Sequence, residues 1–110
     1  MVQACWQGLA DEPRRRAALA RLRSGDFAKL APYESRLSEL AAPTLLLWGA
    51  NDRFTPVGGA HRFAQALPDH RLVVLEDAGH FVFEDQPERS AAEVGEFLRS
   101  LREAAQVPLP

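Results

Sequence analysis

A short apolar run near the middle of the chain constrains the fold more than any other feature. Thr44-Leu45-Leu46-Leu47-Trp48 is unbroken and lies between Pro43 and Gly49. A strand with one buried and one solvent-exposed face alternates apolar and polar residues. A continuous apolar run is instead typical of a parallel strand that is covered on both faces. The run therefore predicts a strand buried on both faces, and with it an α/β architecture.

The segments after this strand alternate between helix and strand. Thr55 is expected to be the N-cap of a helix whose first residue is Pro56, and Leu72–Leu75 is a second short apolar strand. A last helix is expected to begin near Asp85, with Pro87 in its first turn. Both helices carry an apolar stripe at i, i+3, i+4, i+7, at Ala60, Phe63, Ala64 and Leu67 and at Val94, Phe97, Leu98 and Leu101. The order predicts parallel strands with a right-handed crossover.

The first forty residues are rich in Ala, Arg and Leu and are expected to be helical. Asp11 is the expected N-cap of a helix with Pro13 in its first turn and Gly25 as its end. A second helical stretch follows Asp26 and is expected to be interrupted at Pro32. The chain is therefore divided into a helical segment (1–40), an α/β segment (41–105) and a tail expected to fray (106–110).

Composition excludes several classes of protein. The chain has 110 residues, enough for one domain at most. With 13 Lys and Arg against 15 Asp and Glu the net charge is −2. The chain therefore lacks the excess positive charge that binds nucleic acids and anionic membranes. Cys5 is the only cysteine and cannot form an internal disulfide. No apolar run reaches the roughly 18 residues of a membrane span, and no signal peptide is expected from the first residues. A cytoplasmic location is expected.

Two polar turns follow the two predicted strands, and each carries one residue suited to acid–base chemistry. Asp52 follows the first strand and His80 the second. Ligands bind beyond the carboxyl ends of parallel strands, and neighbouring strands lie only about 4.8 Å apart. A carboxylate that accepts the imidazole Nδ1–H leaves Nε2 free to act as a general base. The residues alone also fit a simpler interpretation, in which Asp52 caps a turn and His80 is solvated.

Two segments resemble the C-terminal part of the α/β-hydrolase-fold family. They are Ala42–Pro56, with its Gly-x-x-Asp turn, and Leu75–Phe81, with its Gly-His-Phe turn; Phe83–Glu88 also fits. The resemblance covers residues 36–101. It implies that Asp52 is the acid and His80 the base of a triad ordered nucleophile, acid, histidine. Residues 1–40 would then be the end of a helical cap or lid.

The chain departs from that family by lacking a nucleophile. None of its serines lies in a Gly-x-Ser-x-Gly turn, and no Gly-x-Asp-x-Gly variant or oxyanion loop is present. The sequence therefore predicts the C-terminal fragment of a hydrolase. Its nucleophile, and the N-terminal part of the fold or a partner chain, lie outside these residues. A serine would imply ester, amide or activated C–C bond hydrolysis, and an aspartate haloalkane or epoxide hydrolysis. The alternative is a non-catalytic remnant or partner-dependent half.

Aromatic residues flank the two turns and are candidates for an apolar substrate pocket. Trp48, Phe54 and Phe81 could contact a small apolar molecule, although core packing at the strand end is favoured for Trp48 and packing over the core explains the phenylalanines equally well. No metal site is expected, because His61, His70 and His80 lack ligand spacing. No dinucleotide or other cofactor is expected either, because the turn after the first strand has no Gly-x-Gly-x-x-Gly pattern.

Overall fold

The chain divides into two compact units, residues 1–34 and residues 35–110. The computed structural model describes residues 7, 9–25 and 31–106. In the first unit it contains α1 (Glu12–Arg23) and α2 (Ala31–Glu34). In the second it contains a 3-10 helix (Leu37–Glu39), β1 (Thr44–Gly49), α3 (Gly58–Ala66), β2 (His70–Leu75), α4 (Val82–Asp85) and α5 (Pro87–Gln106).

Helix α1 is stabilised by contacts between residues close in sequence. The Asp11 carboxylate accepts the backbone N–H of Arg14 at 2.8 Å, which confirms the predicted N-cap. Glu12 pairs with Arg15 at 3.1 Å and with Arg16 at 2.9 Å. The helix ends at Arg23, and none of its residues is buried. Local hydrogen bonds and ion pairs therefore hold α1 rather than a packed apolar face.

The interruption of a helical stretch at Pro32 stays a prediction, because residues 26–30 before it lie outside the described residues. Pro32 is the second residue of α2, where a backbone N–H has no partner within the helix, so proline is tolerated. The predicted start of this stretch at Asp26 lies outside the described residues, as does the tail beyond Gln106. The cap-like role of residues 1–40 remains a prediction.

Strands β1 and β2 pair in parallel along their whole length. Thr44 pairs with His70 at one end and Gly49 with Leu75 at the other, which confirms the predicted α/β class. Within the described residues the sheet is two-stranded, with β1 next to β2. The prediction that the run Thr44–Trp48 is buried on both faces is wrong for this chain. Its residues are only half-buried, because the helices that contact β1 cover it incompletely.

The predicted start of α3 is also wrong. The helix begins at Gly58, and Val57, not Thr55, occupies the N-cap position without a side-chain hydrogen bond. Thr55 lies three residues before the helix, and its hydroxyl and backbone N–H instead donate to Asp52. The apolar stripe is confirmed at Ala60 and Leu67, which are buried, but not at Phe63, which is exposed.

Helix α5 begins at Pro87, close to the expected start, and the short α4 before it was not predicted. Ser90 is fully buried in α5 and donates a hydrogen bond to the carbonyl of Val82 at 2.8 Å. Leu98, a member of the predicted stripe, is instead 54% exposed. None of the helices in the described ranges is both long and apolar enough to cross a membrane.

The core of the second unit lies at the carboxyl end of the strands. Leu75, Ala78 and Val82 form its buried centre, with Leu47 and Val73 packed against it. Leu75 ends β2, Ala78 lies in the turn that follows, and Val82 begins α4. The core therefore supports the turn that carries His80.

Candidate active site

The turn after β1 folds around the side chain of Asp52, which is only 5% exposed. Its Oδ1 accepts the backbone N–H groups of Phe54 at 2.8 Å and Thr55 at 2.9 Å. Aspartate favours such turns because its short side chain reaches the backbone two residues ahead. The simple interpretation of Asp52 as a turn residue is therefore correct for Oδ1.

The second oxygen of Asp52 faces the other turn. Oδ2 lies 2.9 Å from Nδ1 of His80 and accepts the Thr55 hydroxyl at 2.6 Å. Asp52 and His80, which are 28 residues apart in the chain, were predicted to lie close together, whereas Thr55 was not predicted to belong to the site. The available signal was the Asp-x-x-Thr spacing, which allows a hydroxyl to reach back to a carboxylate within one turn.

Backbone hydrogen bonds join the two turns. The N–H groups of Ala50 and Asn51 donate to the carbonyls of Leu75 and Ala78, each at 2.9 Å. The Asn51 side-chain amide donates to the carbonyl of Glu76 at 2.7 Å. The turn carrying Asp52 is therefore held directly against the turn carrying His80.

Gly49 allows this close approach. A Cβ at this position would lie 2.5 Å from the carbonyl oxygen of Ala78 and closer still to that of Gly79, so only glycine fits between the strand end and the second turn. The Gly79 N–H in turn donates to the Asp85 carboxylate at 2.7 Å. The backbone just before His80 is thus packed against Gly49 and hydrogen-bonded to Asp85.

The hydrogen bonds to Asp52 determine its charge. Burial alone would raise the pKa of Asp52, but donors from Thr55, His80 and Phe54 outweigh it and hold this pKa well below its usual range. An ionised carboxylate only accepts hydrogen bonds, so Nδ1 of His80 carries the proton. In a neutral imidazole Nε2 then has a free lone pair and can accept a proton.

The imidazole of His80 lies between two exposed phenylalanine rings. The Phe54 ring is tilted, with its centroid 5.3 Å away, and the Phe81 ring is edge-on at 5.2 Å. The His80 side chain is 41% exposed and therefore accessible to a reacting group.

A small open cavity lies beside this imidazole. Its volume is about 140 Å³, and it is lined by Leu47, Trp48, Gly49, Asp52, Thr55, His80 and Val82. Of the three predicted pocket residues, Trp48 lines the cavity, whereas Phe54 and Phe81 lie against the imidazole. Whether any of them contacts a substrate remains a prediction.

The other histidines lie elsewhere. His61 is on the exposed surface of α3, and His70 begins β2, with Nδ1 2.9 Å from the Leu67 carbonyl. Within the part of the chain that the structure describes, no group of His, Cys, Asp and Glu side chains could hold a metal ion.

Known proteins are similar to this chain in sequence and in the arrangement of strands and helices. The sequence profile of the alpha/beta hydrolase fold family matches residues 5–87. A 2-hydroxy-6-oxononadienedioate/2-hydroxy-6-oxononatrienedioate hydrolase of Pseudomonas putida is 43% identical over 49 residues, 44% of this chain and 17% of that protein. Haloalkane dehalogenase 2 of Mycobacterium tuberculosis is 38% identical over 96 residues, 83% of this chain and 30% of that protein.

A solved structure agrees with these matches. MGS-MChE2, an alpha/beta hydrolase from a sediment metagenome of the Mar Chica lagoon, superposes with a TM-score of 0.63 and 26% identity, covering 92% of this chain and 45% of that one. The chain therefore belongs to the alpha/beta hydrolase fold family, and its relatives are hydrolases. It spans less than a third of the length of the two curated relatives.

Proposed function

We propose that this chain is the C-terminal part of a hydrolase and supplies the acid and the base of its catalytic triad. Asp52 is the acid, His80 is the general base, and the nucleophile lies outside these 110 residues. The observation that carries the proposal is the 2.9 Å contact between Nδ1 of His80 and Oδ2 of the buried Asp52. This contact orients the imidazole and leaves Nε2 free to face a reacting group.

The proton transfer in this proposal follows from the two ends of the imidazole. Nε2 takes the proton of the attacking nucleophile or water, and the ring becomes an imidazolium. The ionised Asp52 stabilises that positive charge through the Nδ1–H hydrogen bond. Nε2 then returns the proton to the leaving group.

The nucleophile decides the class of substrate. A serine would attack an ester, an amide or an activated C–C bond, with His80 taking its proton. An aspartate would displace halide or open an epoxide, and His80 would then activate the water that hydrolyses the covalent intermediate. Relatives named for an oxononadienedioate hydrolase and for a haloalkane dehalogenase support both options.

The size of the cavity supports a site completed by other residues. Ligand sites usually enclose roughly 300–1,000 Å³, and the cavity beside His80 encloses about 140 Å³. We propose that the N-terminal part of the fold, or a partner chain, supplies the remaining wall, the nucleophile and the oxyanion hole, and that the substrate is a small, largely apolar molecule.

The first experiment reads the coding sequence upstream of Met1. An in-frame Gly-x-Ser-x-Gly or Gly-x-Asp-x-Gly turn supports the proposal and identifies the nucleophile. The protein is then expressed at the full length of its reading frame and assayed for hydrolysis of p-nitrophenyl butyrate and for halide release from bromobutane. His80→Ala is expected to lower turnover by roughly 10²–10⁴-fold.

His61→Ala is the matched control, since His61 is an exposed helix residue outside the site; its turnover should equal that of the unaltered protein. A stop codon close upstream, together with no activity on either substrate, would contradict the proposal. It would favour the alternative, a non-catalytic remnant or partner-dependent half.

A further inference from the structure

We infer that Thr55 is a positioning residue that fixes the plane of the Asp52 carboxylate relative to the imidazole of His80, and that Trp48 holds Thr55 in place. The catalytic role of this arrangement rests on the proposed function, but the contacts that support the inference do not. They join four side chains of the described residues within one cavity wall.

Thr55 binds both oxygens of the Asp52 carboxylate. Its backbone N–H donates to Oδ1 at 2.9 Å, and its hydroxyl donates to Oδ2 at 2.6 Å. The terminal torsion of aspartate is broad and roughly two-fold, so a carboxylate held at one oxygen can still turn. Donors from one residue on both oxygens restrict that rotation and keep the carboxylate plane directed at His80.

The same hydroxyl faces the imidazole. Oγ1 of Thr55 lies 3.3 Å from Nδ1 of His80. Because its proton is committed to Asp52, this oxygen can only accept a hydrogen bond from Nδ1. The Nδ1–H therefore has Asp52 as its main acceptor and Thr55 as a weaker second one. This arrangement favours the tautomer in which Nε2 is the free base.

Trp48 fixes the backbone of Thr55. Its indole Nε1–H donates to the Thr55 carbonyl at 2.8 Å, and Trp48 itself is held in β1 by pairing with Val74 of β2. Threonine is β-branched and has restricted χ1 rotation, so a fixed backbone also directs the hydroxyl. Serine would carry the same hydroxyl on a freer side chain.

The carboxylate that this hydroxyl binds is nearly buried. The Asp52 side chain is 5% exposed, and a buried charged acceptor that loses a donor is costly. Thr55→Val keeps the branched shape and removes the hydroxyl. Thr55→Ser keeps the hydroxyl and removes the branch. Trp48→Phe removes the indole N–H and keeps an aromatic ring in the cavity wall.

The test measures how fast the Nδ1–H of His80 exchanges with water. The protein is expressed at the full length of its reading frame and labelled with ¹⁵N-histidine, and the low-field imidazole proton resonance is assigned by its loss in His80→Ala. Thr55→Val is expected to exchange about tenfold faster or more than the unaltered protein. Thr55→Ser should lie close to the unaltered protein, and Trp48→Phe between Thr55→Ser and Thr55→Val.

A Thr55→Val protein with the unaltered exchange rate would overturn the inference, as would Thr55→Ser exchanging as fast as Thr55→Val. If Thr55→Val does not fold, the other two variants decide. Trp48→Phe faster than Thr55→Ser supports the inference, and equal rates overturn it. The exchange measurement needs neither nucleophile nor substrate. A failure of this inference can therefore be told apart from a failure of the proposed function, which would appear as unchanged turnover in His80→Ala.

Discussion

Helix α1 and the two turns at the strand ends are held by opposite kinds of contact. The N-cap and ion pairs of α1 join residues three or four apart, and none of its residues is buried. The contacts between the turns join residues 25 and 28 apart, Asn51 with Glu76 and Asp52 with His80. Changes in α1 should therefore have small, local effects, whereas changes at the turns should affect the whole second unit.

Gly49→Ala is expected to give the largest loss of stability. The added Cβ would overlap the carbonyl oxygens of Ala78 and Gly79, and relieving that overlap moves the turn that carries His80. Overpacking of this kind costs about 3 kcal/mol in free energy of unfolding, measurable by urea denaturation. In Gly95→Ala the added Cβ would lie 3.5 Å from Nη1 of Arg99, an ordinary contact within α5. That variant should gain about 1 kcal/mol.

Unaltered stability in Gly49→Ala would mean that the second turn can shift without cost. The contrast between rigid turns and a locally held helix would then be wrong.

Acidification is expected to weaken the second unit through Asp52. The pKa of this carboxyl is lower in the folded protein than its value of about 3.9 in an unfolded chain. Its contribution to stability is therefore complete above about pH 4 and is lost as the pH falls below that value toward the folded pKa. Asp52→Asn cannot titrate and lacks this contribution. The urea midpoints of the unaltered protein and of Asp52→Asn should converge on acidification. A difference that stays constant with pH would contradict a stabilising role for the ionised Asp52.

Ser90→Ala tests a contact of intermediate range. The buried hydroxyl donates to the carbonyl of Val82, eight residues away, and ties α5 to the start of α4. Its loss should cost about 1–2 kcal/mol. Ser100 is the matched control, because its hydroxyl donates to Phe97 on the exposed side of the same helix. Ser100→Ala should cost less than about 0.5 kcal/mol, and equal effects would show that burial of Ser90 adds nothing.

Asp11→Ala should have the smallest and most local effect. It removes the acceptor for the Arg14 N–H and should destabilise α1 by about 1 kcal/mol. Helix content by circular dichroism and faster exchange of the Arg14 amide would report the loss. Asp11→Asn keeps a capping oxygen and should behave like the unaltered protein. An unchanged Arg14 exchange rate in Asp11→Ala would show that the cap contributes little.

Sequence patterns predicted the features that depend on order along the chain. The apolar runs located β1 and β2, and parallel pairing brings their carboxyl ends to one edge, which was enough to place Asp52 near His80. The N-cap of α1 was predictable because its partner is three residues away.

Features that depend on which groups cover or contact a given side chain were not predictable. The apolar run Thr44–Trp48 gave no sign that it would remain half-buried, since burial depends on what covers the sheet. Thr55 suited a helix N-cap in the sequence, but the helix begins three residues later and the Thr55 hydroxyl donates to Asp52. Ser90 gave no signal in the sequence, because serine on a helix is usually exposed.

The full pairing from Thr44 with His70 to Gly49 with Leu75 has a consequence for how this part of the protein can change in evolution. The distance between Asp52 and His80 is set by strand alignment and not by the length of the chain between them. Insertions in the loops on either side of α3, between the Asp52 turn and β2, leave that distance unchanged. One residue inserted within either strand shifts its turn by about 3.3 Å, more than a hydrogen bond tolerates. Natural variation in length should therefore accumulate between β1 and β2 and be absent within them.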